Sequence, residues 1–257
     1  MTRSTARIAI PAGLGAFLLA SLLACCNRPE SPACLRAAGV DTVVAGAFDA
    51  PAVRLTIADG VEVVLHADGD SRRVAWRWEG PANLLAHAQT ELDAGELVLG
   101  DANACDWVRN LGIRLRVEVW APDLRTVEHT GTGDFRWEIG ARDGLWSFDA
   151  RRSAGRTAIS AHVDSLEARL HAGPSHLTLT GSADRLGAYV AGLGTLDASG
   201  LLARRAFLNQ SSAHELRFHA TDYAYLGIHG SGDIRGEAVP LAFDVDRTES
   251  GQVIWPE

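Results

Sequence analysis

The chain has 257 residues, of which 47% are hydrophobic, 22% charged and 26 glycine. That is a globular composition, suited to one large or two small domains and not to a disordered polymer. The formal net charge is -8 and all 24 basic residues are arginine, scattered through the chain, which argues against a nucleic-acid groove, and no nucleic-acid partner is expected.

Residues 1–24 read as an export signal: Arg3 and Arg7 precede an apolar run from Ile8 to Leu23, the layout of a secretory leader. Pro11 and Gly13 interrupt that run, and a spanning helix needs roughly 20 apolar residues. Leu22-Leu23-Ala24-Cys25 resembles the bacterial lipobox, which makes Cys25 the expected lipidated first residue of the mature chain. By analogy with the same rule, Cys26 rather than Asp after it favours the outer membrane of a Gram-negative cell. The expected location is therefore an exported, membrane-anchored lipoprotein. Two or three acyl chains anchor firmly where one is marginal, since each buried methylene contributes roughly 0.8 kcal/mol.

Export puts Cys26, Cys34 and Cys105 in an oxidising compartment. Three is an odd number, so one thiol is free or pairs between chains, and Cys34–Cys105 is one bridge that would tie tether to body. No Cys-x-x-Cys or mixed Cys/His spacing points to zinc. Residues 25–42, with Pro29 and Pro32 and little periodicity, read as the tether.

Residues 43–122 read as an N-terminal β region. Two apolar runs meet at Asp59-Gly60 within Val53 to Gly69, a turn dipeptide between strands. Val74, Trp76 and Trp78 share one face of the next run, against Arg73, Ala75 and Arg77. A short helix is expected around Leu84 to Gln89, then a turn and strand from Asp93 to Gly100. Ile113, Leu115, Val117 and Val119 alternate with Arg114, Arg116, Glu118 and Trp120, and Pro122 stops that strand.

From residue 123 to 240 the chain repeats. Apolar positions recur at Leu124, Leu145, Leu166, Leu186, Ala206 and Leu226. In step with them run corner tetrapeptides: GTGD from Gly131 to Asp134, AGRT from Ala154, AGPS from Ala172, GLGT from Gly192, SAHE from Ser212 and GSGD from Gly230 to Asp233. A period near 20 with short strands and small corners is the pattern of an all-β, parallel β-helix-like solenoid, whose coils bury their apolar faces on one another. An antiparallel sandwich also spaces its strands closely, but it does not require two rows to stay in step. Gly131, Gly133, Gly173, Gly192, Gly194, Gly230 and Gly232 are the expected structural corners, where glycine accepts positive φ. Asp134 and Asp233 should satisfy local amides there. Residues 241–257 read as a C-terminal cap.

The order of these elements resembles the bacterial head GIN domain, a putative auto-transporter adhesin family. The residues that carry the resemblance are Phe48 with Val53 to Asp70, "GELVLG", Ile113 to Phe135 and "LGIHGSGDIRGEAVP", with a terminal "SGQV". The resemblance covers residues 43 to 254. It implies a β-solenoid in an exported protein, often a lipoprotein, and brings no catalytic residues. Only two corners keep the full Gly-Ser/Thr-Gly-Asp form, so the demand for glycine has relaxed in the middle coils.

Chemistry is scarce. The glycine corners lack the lysine and following helix of a phosphate loop, and the Gly-Gly-x-Gly-x-Asp calcium repeat is absent. His129, His171 and His229 precede corners on non-adjacent coils, too far apart to share a metal with bonds of ~2.0–2.1 Å, and read as solvated or hydrogen-bonded corner residues. No cofactor, metal or catalytic residue is assigned. Of Trp76, Trp78, Trp107, Trp120, Trp137 and Trp146, the outward-reading Trp120 and Trp137 are the candidate binding surface. The expected function is a non-enzymatic envelope-anchored module, either structural or one that binds or adheres to a protein, a glycan or another copy of itself. The alternative is a polysaccharide-active β-helix enzyme using acids on adjacent coils, drawn from Asp149, Asp164, Glu167, Asp184 and Asp197.

Overall fold

The computed structural model describes residues 39–58, 60–70, 72–103 and 114–256. The export signal, Cys25, Cys26, Cys34, Cys105 and Trp107 lie outside the described residues. The elements in chain order are β1 (Asp41–Phe48), β2 (Arg54–Ile57), β3 (Glu62–His66), β4 (Val74–Pro81), α1 (Ala82–Leu85), β5 (Ala88–Asp93), β6 (Glu96–Asp101), β7 (Arg116–Trp120) and β8 (Thr126–His129). Then follow the long strands β9 (Phe135–Arg151), β10 (Arg156–Ala172), β11 (His176–Gly192), β12 (Thr195–Ser212) and β13 (Leu216–Ile228), and the short β14 (Ile234–Gly236), β15 (Ala242–Arg247) and β16 (Val253–Ile254).

Together they form a β-solenoid of about six turns, about 20 residues each. Each long strand bends midway, so its first half lies in a front wall and its second half in a back wall. The front wall runs β1-β4-β7-β3-β9-β10-β11-β12-β13-β14-β16. The back wall runs β5-β6-β2-β8-β9 and onward through β13 to β15. From β9 to the C-terminus neighbouring coils pair in parallel. Antiparallel pairing is confined to the N-terminal end, where β1 meets β4, β4 meets β7 and β5 meets β6.

The core is a set of stacked columns. Phe135, Thr157, Leu177, Leu196, Leu216, Ile234 and Val253 follow one another up the front wall. Trp146, Leu166, Leu186, Ala206 and Ala224 do so up the back. The expected apolar row is therefore corrected at two points. Leu145 pairs with Ser165 and is 51% exposed while Trp146 takes the core position, and Leu226 stacks on Leu208 rather than Ala206. A one-residue slip moves a side chain to the opposite face, and the β9–β10 register shifts at three points: Gly140 is left unpaired at one, and a second falls between Arg142 and Leu145.

The corners shift likewise. Arg156 pairs with His176, and Thr157 with Phe135. The segments equivalent to GTGD are thus Ser153 to Arg156 and Gly173 to His176, each one residue from where the repeat pattern puts them. Further along, Thr195, Glu215, Asp233 and Gln252 occupy the same corner position.

The N-terminal region departs most from its expected reading. β2 and β3 flank Gly60 but do not pair with each other: β2 lies between β6 and β8, and β3 between β7 and β9. They are the two arms of one coil, not a hairpin. The helix is a single turn, ending before β5 begins at Ala88. At the other end, β15 continues the back wall on β13 as a strand with every residue at least partly open to solvent, and Trp255 packs against Phe218 and Phe243.

Candidate binding face

The corner residues make structure. Among the expected corners only Gly173 (φ 97°) and Gly192 (φ 68°) have positive φ. Gly131, Gly133, Gly194, Gly230 and Gly232 do not, so positive φ is not why they are glycine. At Gly133 and Gly232 the demand comes from the neighbouring coil: a Cβ on Gly133 would lie 1.8 Å from the Val61 carbonyl oxygen, and one on Gly232 2.1 Å from that of His214. The corner aspartates also work between coils. Asp134 Oδ1 accepts the Arg156 amide and Asp233 Oδ1 the Gln252 amide, both at 2.9 Å.

Trp137 corrects the expected binding surface. Phe135, Trp137 and Ile139 point inward along β9, and Trp137 is fully buried, edge-on to Trp146 at 5.6 Å between ring centres. Trp120 does lie on the outer side of the front wall, half-buried and stacked on His66 at 5.4 Å and 15°.

The histidines divide. His171 Nε2 lies 3.1 Å from Asp149 Oδ1, and His229 Nδ1 lies 3.0 Å from Thr248 Oγ1. His129 is instead fully buried with neither ring nitrogen partnered, which corrects its reading as a solvated or bonded corner residue. Its inward column joins Ile57, His129, Ala150 and Leu170. Burial pushes its pKa down from 6.5 to about 4, against a smaller upward pull from the Asp134 carboxylate.

All five acids have a partner, and three of them lie on the outer faces of the walls. Asp149 and Glu167, on the back wall, contact Arg151 and Arg169. Asp197, on the front wall, accepts bonds from Ser199 at 2.6 and 3.0 Å. Burial raises its pKa, but the Ser199 bonds and the Arg217 charge outweigh that and hold it below the ordinary carboxylate value. Asp164 and Asp184 sit at the bend on neighbouring coils and line a cleft of about 330 Å³ with Arg204. No group of three or more His, Cys, Asp or Glu among the described residues is placed to hold a metal ion.

The front wall carries the most developed surface feature. One outward row crosses the coils as Arg77, Glu118, Val64, Arg136, Ala158, Thr178, Asp197, Arg217 and Arg235. At one end Glu118 pairs with Arg77 and Arg116, at 3.4 and 3.3 Å. At the other, Arg217 contacts Glu237 at 2.7 Å and Asp197 at 3.8 Å, and Arg235 contacts Glu215 at 2.9 Å. Between them the network stops over the small Val64, Ala158 and Thr178. The gap is a shallow groove of about 840 Å³, flanked by Arg136, Arg156 and His176. Neither Arg136 nor Arg156 has a side-chain partner among the described residues. Glu62 and Asp134 also line the groove, but Asp134 is committed to the Arg156 amide. Two unpaired guanidiniums over a flat floor suit an anionic group, which arginine grips through planar paired bonds. Sequence reasoning missed this groove, because Arg136 and Arg156 become neighbours only through the coil register.

A family profile described as "Putative auto-transporter adhesin, head GIN domain" matches residues 53–239. The chain belongs to the head GIN domain family. Its fold is shared by a putative adhesin from Bacteroides fragilis, at 17% identity and TM-score 0.73 over 84% of this chain and 97% of that one. It is also shared by a putative lipid binding protein from Parabacteroides distasonis (18% identity, TM-score 0.61, 84% and 97% covered). A putative adhesin from Parabacteroides merdae shares it as well (13% identity, TM-score 0.55, 85% and 98% covered). No curated protein matches the chain. Among the described residues no helix is long and apolar enough to cross a membrane.

Proposed function

We propose that this GIN domain is an exported, lipid-anchored binding module without catalytic turnover, whose front-wall groove receives anionic groups of a glycan or protein partner at the cell envelope. The observation that carries this reading is the break in the ion-pair network, where Arg136 and Arg156 face solvent unpartnered across a groove of about 840 Å³. Membership in an adhesin family supports a role in binding. The export signal and the lipobox-like Leu22 to Cys25 support anchoring through Cys25 at the outer membrane. The first described strand, β1, lies at one end of the front wall and β16 at the other.

The test is retention of the protein, from residue 26 onward, on immobilised polygalacturonate against neutral dextran at 150 mM salt. Retention on the acidic matrix alone, weakened at least tenfold by Arg136→Ala with Arg156→Ala, is the expected result. Equal retention of wild type and double variant would overturn the groove as the binding face. Anchoring has its own test: Cys25→Ser in the full chain should abolish palmitate labelling and release the protein from membranes.

One geometric observation favours a second reading, polysaccharide cleavage. Asp164 and Asp184 are the acids among the five that neighbouring coils bring into one cleft. Asp164 already accepts the Gly144 amide at 2.8 Å, and Asp184 lies 3.6 Å from Arg204. If oligosaccharide release from a polysaccharide panel exceeds buffer and is lost in Asp164→Asn and Asp184→Asn, this reading displaces the first.

A further inference from the structure

The back wall holds a second feature of different chemistry. Along β11 the outward positions are Arg185, Gly187 and Tyr189. Across the coils Gly187 pairs with Glu167 on one side and Phe207 on the other. A glycine among four large outward side chains leaves a notch, and a cavity of about 190 Å³ is centred there. Its sides differ in character. Phe207 presents a ring on one side, with the Arg185 guanidinium 4.8 Å over it. Tyr189 closes one end, its ring 5.5 Å from that of His171. Glu167 on the opposite side is neutralised by its contact with Arg169. Asn209 pairs with Tyr189 across the strands and also borders the cavity.

Three polar groups on residues that border this notch have no hydrogen-bond partner among the described residues: the Arg185 guanidinium, the Tyr189 hydroxyl and the Asn209 amide, whose Oδ1 leans toward Gly227 on the next coil. Aromatic rings half-buried on the outside of a sheet, beside unspent donors and acceptors, are the makings of a small-ligand site. The volume is well below the roughly 300–1,000 Å³ of pockets for larger ligands. One small puckered ring with an apolar C–H face and a rim of hydroxyls fits this combination: the exposed edges of Tyr189 and Phe207 border the C–H face, and the guanidinium and phenol reach the hydroxyls.

We propose that the Gly187 notch is a subsite for a single pyranose ring of a glycan, separate from the front-wall groove. The inference goes beyond the anionic-groove reading and shares no residue with it, so the two can fail independently. Gly187 itself provides the test. Its φ is not in the left-handed region, and a Cβ there would meet only the flexible Glu167 Cγ at 3.4 Å and the Leu166 carbonyl at 4.0 Å. Gly187→Leu should therefore fill the notch and leave the fold in place.

The measurement is saturation-transfer difference NMR with methyl glycosides of glucose, galactose and mannose, and with N-acetylglucosamine. Saturation should reach the ring CH protons of at least one of these sugars. It should fall at least tenfold in Gly187→Leu and in Phe207→Ala with Tm held, and persist in Arg136→Ala with Arg156→Ala. Transfer to none of the four sugars, or transfer that survives in a folded Gly187→Leu, would overturn the subsite.

Discussion

Gly133 and Gly140 lie seven residues apart and should respond in opposite ways to the same substitution. At Gly133 an added Cβ meets the Val61 carbonyl at 1.8 Å, and backbone cannot yield without parting two coils. Gly133→Ala should lower the urea midpoint by the equivalent of more than ~2 kcal/mol, as overpacked sites do. At Gly140 nothing lies within 4 Å and φ is ordinary. Gly140→Ala should be neutral, or stabilising by about 0.4–1 kcal/mol through reduced unfolded-state entropy. His129 belongs at the same scale. Its folded pKa is about 4 against 6.5 for a free histidine, so between those values the unfolded chain holds the extra proton. Stability is then complete above about pH 6.5 and declines as pH falls towards 4, by on the order of 3 kcal/mol at most. Urea midpoints at pH 7 and pH 5 should differ more in wild type than in His129→Leu; an identical drop in both would remove His129 as the cause.

At the scale of elements, the inward columns and the outward charge rows carry different loads. Leu186 sits fully buried between Leu166 and Ala206, and Leu186→Ala should cost about 2–5 kcal/mol. Arg217, with contacts to Asp197, Glu215 and Glu237, is 40% exposed. Exposed pairs contribute roughly 0–1 kcal/mol each, so Arg217→Ala should cost much less than Leu186→Ala in the same unfolding assay. If the charge row proves the more costly to break, it is a structural brace and its interruption says little about ligands. The last strand of the back wall, β15, shows how the open end is guarded. Phe243 and Val245 extend the inward columns of Ala224 and Leu226 but remain 42% and 46% exposed. Asp244 and Asp246 sit between and beyond them, and a second copy pairing antiparallel in matched facing would bring these carboxylates together, a common defence of exposed edges.

For the molecule as a whole, the period was legible in the sequence because coil stacking leaves small residues at every corner and alternation on every strand. Gly230 to Asp233 and Gly131 to Asp134 declare that repeat directly. The placement of β2 and β3 between the β6–β7 and β8–β9 coils was not legible, since parallel pairing is non-local and no turn residue encodes it. Trp137 was misplaced for a related reason: a tryptophan in an alternating strand reads outward or inward according to a parity that Phe135 and Ile139 fix only once the core is known. The groove was hidden by the same dependence on register, as Arg136 and Arg156 are 20 positions apart in the chain. The unequal state of the arginines on this wall gives the most direct measurement. Arginine Nε–Hε correlations, recorded while oligogalacturonate is titrated into the mature protein, distinguish the unpaired Arg136 and Arg156 from the ion-paired Arg217 and Arg235. Saturable shifts at Arg136 and Arg156 with Arg217 and Arg235 unmoved are the expected result; shifts confined to the paired arginines, or none at all, would rule out the groove as the anion-binding face.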